Sequence, residues 1–166
     1  MTAKGHLFLA LLPAEMIGLN LTGGAQSLFL FGAALGSLLP DIDEPRSYIG
    51  MKFPYLSIPL KLFGIKHRTI THSIWFILLF LIPGLMLNNF FLLGLSLGVF
   101  MHLIGDMLTK GGVPLFYPLT KHYRLLPKEI AFYTNSFTEH ILVGILALLN
   151  GALFFAYLQG SGLLNV

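Results

Sequence analysis

Five stretches of the chain are almost continuously apolar, over residues 5–21, 26–39, 69–87, 90–108 and 137–158. Runs of this length with no polar stripe predict helices surrounded by apolar matter on every side, whether protein or lipid. A bilayer crossing takes about 20 residues. The stretch at 26–39, which stops at Pro40, is short for one and either enters the bilayer without crossing it or stands nearly upright in thinned lipid. Thr22-Gly23-Gly24 and Asn88-Asn89 mark tight turns. Residues 41–68 and 110–136 form two longer, more polar connectors. The predicted fold is all-α: one membrane-embedded domain over 1–166, a polytopic bundle of about five transmembrane helices.

Composition strengthens this expectation. The chain has 166 residues, room for one domain. Only 10% are charged and 55% are hydrophobic, with a mean hydropathy of +0.80. A soluble domain this small has too much surface to hide that much hydrocarbon. With no cysteine, disulfides, Cys-ligated zinc, iron–sulfur clusters and thiol nucleophiles are excluded. The isoelectric point near 9.3 rests on a net charge of only +3, so no nucleic-acid partner is expected. The ten basic residues are instead segregated. Lys4 precedes the first apolar stretch; Arg46, Lys52, Lys61, Lys66 and Arg68 lie in one connector; Lys110, Lys121, Arg124 and Lys128 lie in the other. The opposite turns and residues 159–166 carry none, which predicts a cytoplasmic N-terminus, both connectors inside and the C-terminus outside. A cleaved leader is not expected, because Pro13-Ala14-Glu15 is a poor cleavage site.

Ionisable groups in membrane helices cost about 2.5–3.5 kcal/mol each at a helix centre, so each asks for a reason. His102 and Asp106 are four apart and share a helix face, a pairing that either holds a divalent ion or satisfies itself by a hydrogen bond. Pro40-Asp41-Ile42-Asp43-Glu44-Pro45 places three carboxylates directly after an apolar stretch; in an irregular turn Asp41 and Asp43 can reach one centre, and such oxygens suit a metal or a solvated cap. His67 and His72 are five apart, about 140° around a helix, and share a site only if His67 sits in the preceding loop. Arg68 and Lys66 suit a phosphate or carboxylate, or serve as positive-inside anchors, and Thr69 or Thr71 suits a helix cap. His6 and Glu139 are weak alone. Yet His6, Asp41, Asp43, His67, His72, His102, Asp106 and Glu139 all fall at the predicted cytoplasmic ends of their elements, with Glu15 toward the other end. That convergence is enough for a two-metal site of the phosphoester-cleaving kind. His122 and His140 share the level without a usefully spaced partner.

Other patterns are packing signals. Gly32-x-x-x-Gly36 and Gly94-x-x-x-Gly98 let helices approach closely. Gly94-Leu95-Ser96-Leu97-Gly98 matches a nucleophile elbow but sits in mid-helix rather than in a strand–turn–helix. Residues 111–118 read as a rigid aromatic interfacial loop able to cover a site or seat a lipid chain.

These residues resemble the YdjM/YbcI-type family of bacterial inner-membrane proteins, described as membrane-bound metal-dependent hydrolases. The resemblance rests on Gly5-His6, Leu39-Pro40-Asp41-Ile42-Asp43, His67-Arg68 with Thr71-His72-Ser73, and His102 with Asp106, Thr109, Gly112 and Pro118. It runs over about residues 1–127, and the Glu139 region is similar too. It implies a divalent-metal site, hydrolysis and a multi-pass location in the bacterial inner membrane. The order of ligands is also remotely similar to zinc-dependent phospholipase C. That enzyme has a further His soon after the His-x-x-x-Asp pair and one four residues before the late Glu, where this chain has Asn135; one or two metals are therefore expected rather than three.

The expected protein is a membrane-embedded hydrolase acting on a phosphoester or phospholipid-like substrate at the cytoplasmic leaflet. Its metal ligands are His6, Asp41, His72, His102 and Asp106, with Asp43, His67, Arg68 and Glu139 as catalytic residues. The metal is zinc, with manganese or magnesium as alternatives. The rival reading is a divalent-metal transporter or sensor using the same His/Asp site, and a third is a scaffold whose His–Asp bonds are purely structural.

Overall fold

The computed structural model describes residues 1–62 and 67–160. Lys66 and the uncharged tail at 161–166 lie outside the described residues. Among those described the fold is all-helical, with α-helices α1 (Ala3–Gly18), α2 (Gly24–Gly36), α3 (Tyr48–Lys52), α4 (Pro54–Leu62), α5 (Ile74–Met86), α6 (Phe90–Met107) and α7 (Phe137–Gly160). Two 3-10 turns, Leu39–Asp43 and Ile70–His72, follow α2 and precede α5.

Helix α6 is the hub. It packs against α2, α5 and α1, and α7 lies on the outer side of α1. The α2–α6 contact is backbone on backbone. A Cβ on Gly32 would sit 2.2 Å from the Phe91 carbonyl oxygen, and one on Gly98 would sit 2.2 Å from that of Ala33. Both small-residue ridges are therefore buried face to face, which explains why neither position tolerates a side chain. Ser96, in the elbow-like pattern, donates to the Leu93 carbonyl within its own helix.

Local chemistry sets the helix starts. Asn89 Oδ1 accepts from the Leu92 amide at 3.1 Å and opens α6; Ser47 Oγ caps α3 through the Gly50 amide at 2.9 Å.

Each apolar stretch contains a helix, but among the described residues only two helices are long and apolar enough to cross a membrane. These are Phe90–Met107, with mean hydropathy 1.7, and Phe137–Gln159, with 2.3. Their surroundings differ: 56% of the first is buried inside the protein, against 11% of the second. Helices α2 and α5 have 13 residues each, a rise of about 20 Å against a hydrocarbon core of about 30 Å. The expected helix at 69–87 starts late, because Ser73 is extended and the Ile74 amide donates to the Leu115 carbonyl at 2.9 Å. The connector at 41–68 is also more structured than expected, folding α3 and α4 and leaving Met51, Tyr55, Leu56 and Leu62 exposed. Helices this short, one of them holding Pro59, leave too little periodicity to read.

The second connector folds back on α6. Val113 and Tyr123 exchange backbone hydrogen bonds, and the Leu125 amide donates to the Met107 carbonyl at 2.9 Å. Trp75 Nε1 donates to the Tyr117 carbonyl at 2.7 Å, tying the loop to α5.

Candidate metal centre

Four elements deliver side chains to one buried point: α1 (His6), the 3-10 turn after α2 (Asp41), the 3-10 turn before α5 (His72) and α6 (His102, Asp106). His6, His72, His102 and Asp106 are at most 1% exposed.

The tautomers are set from behind. His102 Nδ1 faces the Ser37 carbonyl oxygen at 2.6 Å. A carbonyl only accepts, so Nδ1 carries the proton and Nε2 keeps its lone pair. Thr71 Oγ1 donates to Asp43 Oδ2 at 2.5 Å and lies 3.1 Å from His72 Nδ1. With the hydroxyl proton spent on the carboxylate, Nδ1 of His72 is the donor there and its Nε2 is also unprotonated. These two Nε2 atoms face each other at 3.3 Å. Asp41 Oδ1 lies 3.5 Å from His72 Nε2 and 3.7 Å from that of His102, and Asp106 Oδ2 lies 3.7 Å from His72 Nε2. The Met1 amine and the Arg68 guanidinium compensate Asp106, but the two opposed lone pairs, with Asp41 Oδ1 beside both, repel one another unless a cation or proton lies among them. The donor set thus fits a metal. His6 adds to that fit: its ring stacks on His102 at 3.6 Å, and both its nitrogens are buried without a hydrogen-bond partner among the described residues. Its Nε2 comes within 3.4 Å of Asp106 Oδ1.

Three groups of possible ligands emerge, each with donor atoms within 4.8 Å of one another: His6, Asp41 and His102; Asp41, His67 and His72; and His72, His102 and Asp106. The five residues expected as metal ligands are therefore brought together, and His67 joins them from the loop ahead of the 3-10 turn, where it had to lie to share a site with His72.

Asp43 stands one layer back. The 3-10 turn sends Asp41 and Asp43 to the two nitrogen edges of the His72 ring, at 3.5 Å from Nε2 and 3.8 Å from Nδ1. Asp43 also accepts from His67 Nδ1 at 2.8 Å. Burial of His67 opposes its protonation, but the hydrogen bond and charge of Asp43 prevail and raise its pKa above the ordinary histidine value. Glu44, the third carboxylate of that run, turns to Lys61 at 3.6 Å instead.

Arg68 reaches Asp106 Oδ2 with Nη2 at 3.0 Å. Its backbone is left-handed, φ 60°, a rare conformation for a non-glycine residue. Its Nε is buried with no partner among the described residues. The Met1 amine donates to Asp106 Oδ1 at 2.5 Å. Glu139 is not in the cluster. One of its oxygens accepts from the Thr2 amide and hydroxyl at 2.5 and 2.7 Å, and the other from the Asn135 amide at 2.6 Å. His122 and His140 bond the Gly111 and Ser136 carbonyls at the surface.

Sequence reading did not reveal the roles of Thr71 and the Ser37 carbonyl. Thr71 carried a signal, being one residue from a candidate ligand and four from another. The carbonyl carried none.

A family profile described as YdjM inner membrane protein matches residues 1–164. The chain belongs to this family. It is 35% identical over 139 residues to the inner membrane protein YdjM of Escherichia coli (strain K12), covering 75% of this chain and 69% of that protein. It is 35% identical over 136 residues to the uncharacterized protein YvsG of Bacillus subtilis (strain 168), covering 80% and 82%. No solved structure matches the chain. This member of a family described as inner membrane proteins has, among the described residues, two helices long and apolar enough to cross a membrane and a largely buried His/Asp cluster that could hold a metal ion.

Proposed function

We propose that this YdjM-family protein is a membrane-embedded, metal-dependent hydrolase that cleaves a phosphoester in a phospholipid-like substrate at the cytoplasmic leaflet. The observation that carries the reading is the convergence of the Nε2 atoms of His72 and His102, 3.3 Å apart, with Asp41 and Asp106. That spacing is about the edge of a tetrahedron whose metal–nitrogen bonds are 2.0–2.1 Å. Two imidazoles with two carboxylates favour zinc over magnesium, with manganese between them. Asp41, His72, His102 and Asp106 would hold the principal ion, with His6 as a further ligand beside Asp41 and His102.

A bound metal supplies an acidified water and a polarised ester oxygen. The chain's own residues do the rest. His67 is the most open of the cluster's histidines, with 35% of its side chain exposed, so it is the one that meets incoming water. Asp43 fixes its ring through Nδ1, leaving Nε2 to take a proton. Arg68, held by Asp106 through Nη2 and by the Gly112 carbonyl through Nη1 at 3.4 Å, has one N–H left on each terminal nitrogen to offer a phosphate. Glu139 acts at a distance by pinning Thr2 and Asn135. The basic connectors support a cytoplasmic side for the site, and the reading takes α1, α2 and α5–α7 as five membrane-embedded helices with the N-terminus inside.

The test is metal content per chain in detergent-purified protein, followed by hydrolysis of phospholipids and phosphoesters. Wild type is expected to carry about one or two equivalents of zinc or manganese, and His102→Ala to lose them. Asp106→Ala is expected to remain folded and to lose metal-dependent turnover; unchanged activity in that variant overturns the assignment. Metal transport is the second reading, favoured by Glu15 Oε2 and Asn150 Oδ1, which are buried without hydrogen-bond partners among the described residues farther along α1 and α7. Metal bound by wild type without any turnover decides for it.

A further inference from the structure

A cavity of about 540 Å³ lies between the first turns of α1, the first turns of α7, Leu38 and Tyr48. It is ligand-sized. Its walls are mostly apolar, with Leu7, Leu38 and Val143 among them. Lys4 and His140 are its basic groups, both exposed. Lys4 has no ion-pair partner among the described residues, and His140 bonds the Ser136 carbonyl through Nδ1 at 2.7 Å, which leaves Nε2 for a ligand.

Two features tie this cavity to the cluster. Thr2 and Leu38 line it, and their chain neighbours Met1 and Ser37 touch Asp106 and His102. Glu139 forms part of the wall and is fully used in holding Thr2 and Asn135. A third feature points outward: α7, one side of the cavity, is the helix with only 11% of its span buried, so this side faces the surrounding lipid.

We infer that the cavity seats one acyl chain of an anionic glycerophospholipid drawn from the bilayer, with its phosphate held by Lys4 and His140. This rests on the hydrolase reading and narrows its substrate to a bilayer lipid. Apolar walls match the chain, and the two basic groups match the phosphate. Soluble phosphoesters would leave the apolar part of the cavity unfilled.

The experiment uses full-length protein in nanodiscs of phosphatidylethanolamine and phosphatidylglycerol, the latter carrying a photoactivatable diazirine on one acyl chain. After irradiation, adducts are mapped by mass spectrometry, and zinc is measured in the same samples. Adducts are expected to concentrate on the segments holding Leu7 and Val143. Val143→Trp, which fills the cavity, is expected to remove most of them while the zinc content holds. Lys4→Glu, at an exposed position, is expected to reduce labelling by phosphatidylglycerol about fivefold or more, the factor for one basic residue at an anionic lipid surface. Adducts spread evenly over outward residues such as Leu148 and unchanged in both variants overturn the proposal. Zinc with no cavity labelling removes the lipid seat and leaves the hydrolase; cavity labelling without zinc removes the hydrolase and leaves a lipid-binding cavity.

Discussion

At the scale of single residues, the candidate centre depends on groups that stand behind its possible ligands. Asp43 is 1% exposed and accepts from His67 Nδ1 at 2.8 Å and Thr71 Oγ1 at 2.5 Å. Through Thr71 it also fixes the tautomer of His72. Partners of this kind typically contribute about 10–100-fold to metal affinity. Asp43→Asn exchanges one acceptor oxygen for a donor, so either His67 or Thr71 must turn away. Zinc affinity, read by competition with a chromophoric chelator, is expected to fall by about that factor while helix content is retained. An unchanged affinity would show that Asp43 serves only the fold.

At the scale of elements, the α2–α6 seam carries the centre. The last turn of α2 ends at Ser37, whose carbonyl orients His102, and Gly98 lies one turn before His102 on the facing helix. A Cβ at Gly98 would stand 2.2 Å from the Ala33 carbonyl oxygen and 2.6 Å from the Ser37 nitrogen. Backbone cannot yield as a flexible side chain can, so Gly98→Ala must push the helices apart, at a cost of about 1–3 kcal/mol. A lower thermal midpoint together with weaker metal binding is expected, both followed in detergent. Gly144→Ala on α7 is the control, because nothing lies within 4 Å of its Cβ position. Its midpoint is expected to hold or rise, since alanine gains up to about 1 kcal/mol over glycine inside a helix. Equal losses in the two variants would mean that the seam is not what positions His102.

At the scale of the whole molecule, the open quantity is orientation. The absence of cysteine gives a clean background for single-cysteine probes. Leu87, 70% exposed at the end of α5, belongs to a turn without basic residues, whereas Lys52 and Lys121 sit in the basic connectors. With the N-terminus inside, an impermeant maleimide is expected to label Leu87→Cys on intact cells, and Lys52→Cys and Lys121→Cys only after the inner membrane is opened. The reverse pattern would place the metal centre on the outer side and remove the cytoplasmic leaflet as the source of substrate. The 13-residue lengths of α2 and α5 fit a bundle whose hydrocarbon-facing surface is carried mainly by longer helices, with the polar cluster at one end of the short ones.

Apolar run length, the segregation of ten basic residues and the absence of cysteine are local properties, and the chain alone determined from them an all-helical membrane protein with one chemically loaded end. Residue type and clustering likewise nominated His6, Asp41, His72, His102 and Asp106, because an ionisable group in an apolar setting needs a partner whatever the fold. Only the tertiary structure decided their division of labour. Asp41 and Asp43 are two positions apart in one acidic run, yet the 3-10 turn sends one into the cluster and the other behind it. Glu139 belonged to the same level by sequence, and the packing of α7 outside α1 gave it Thr2 and Asn135 instead of a metal. The Ser37 carbonyl that sets the tautomer of His102 is a backbone atom, identical in every residue, and acquires its role only through the distance at which two glycine-lined helices meet.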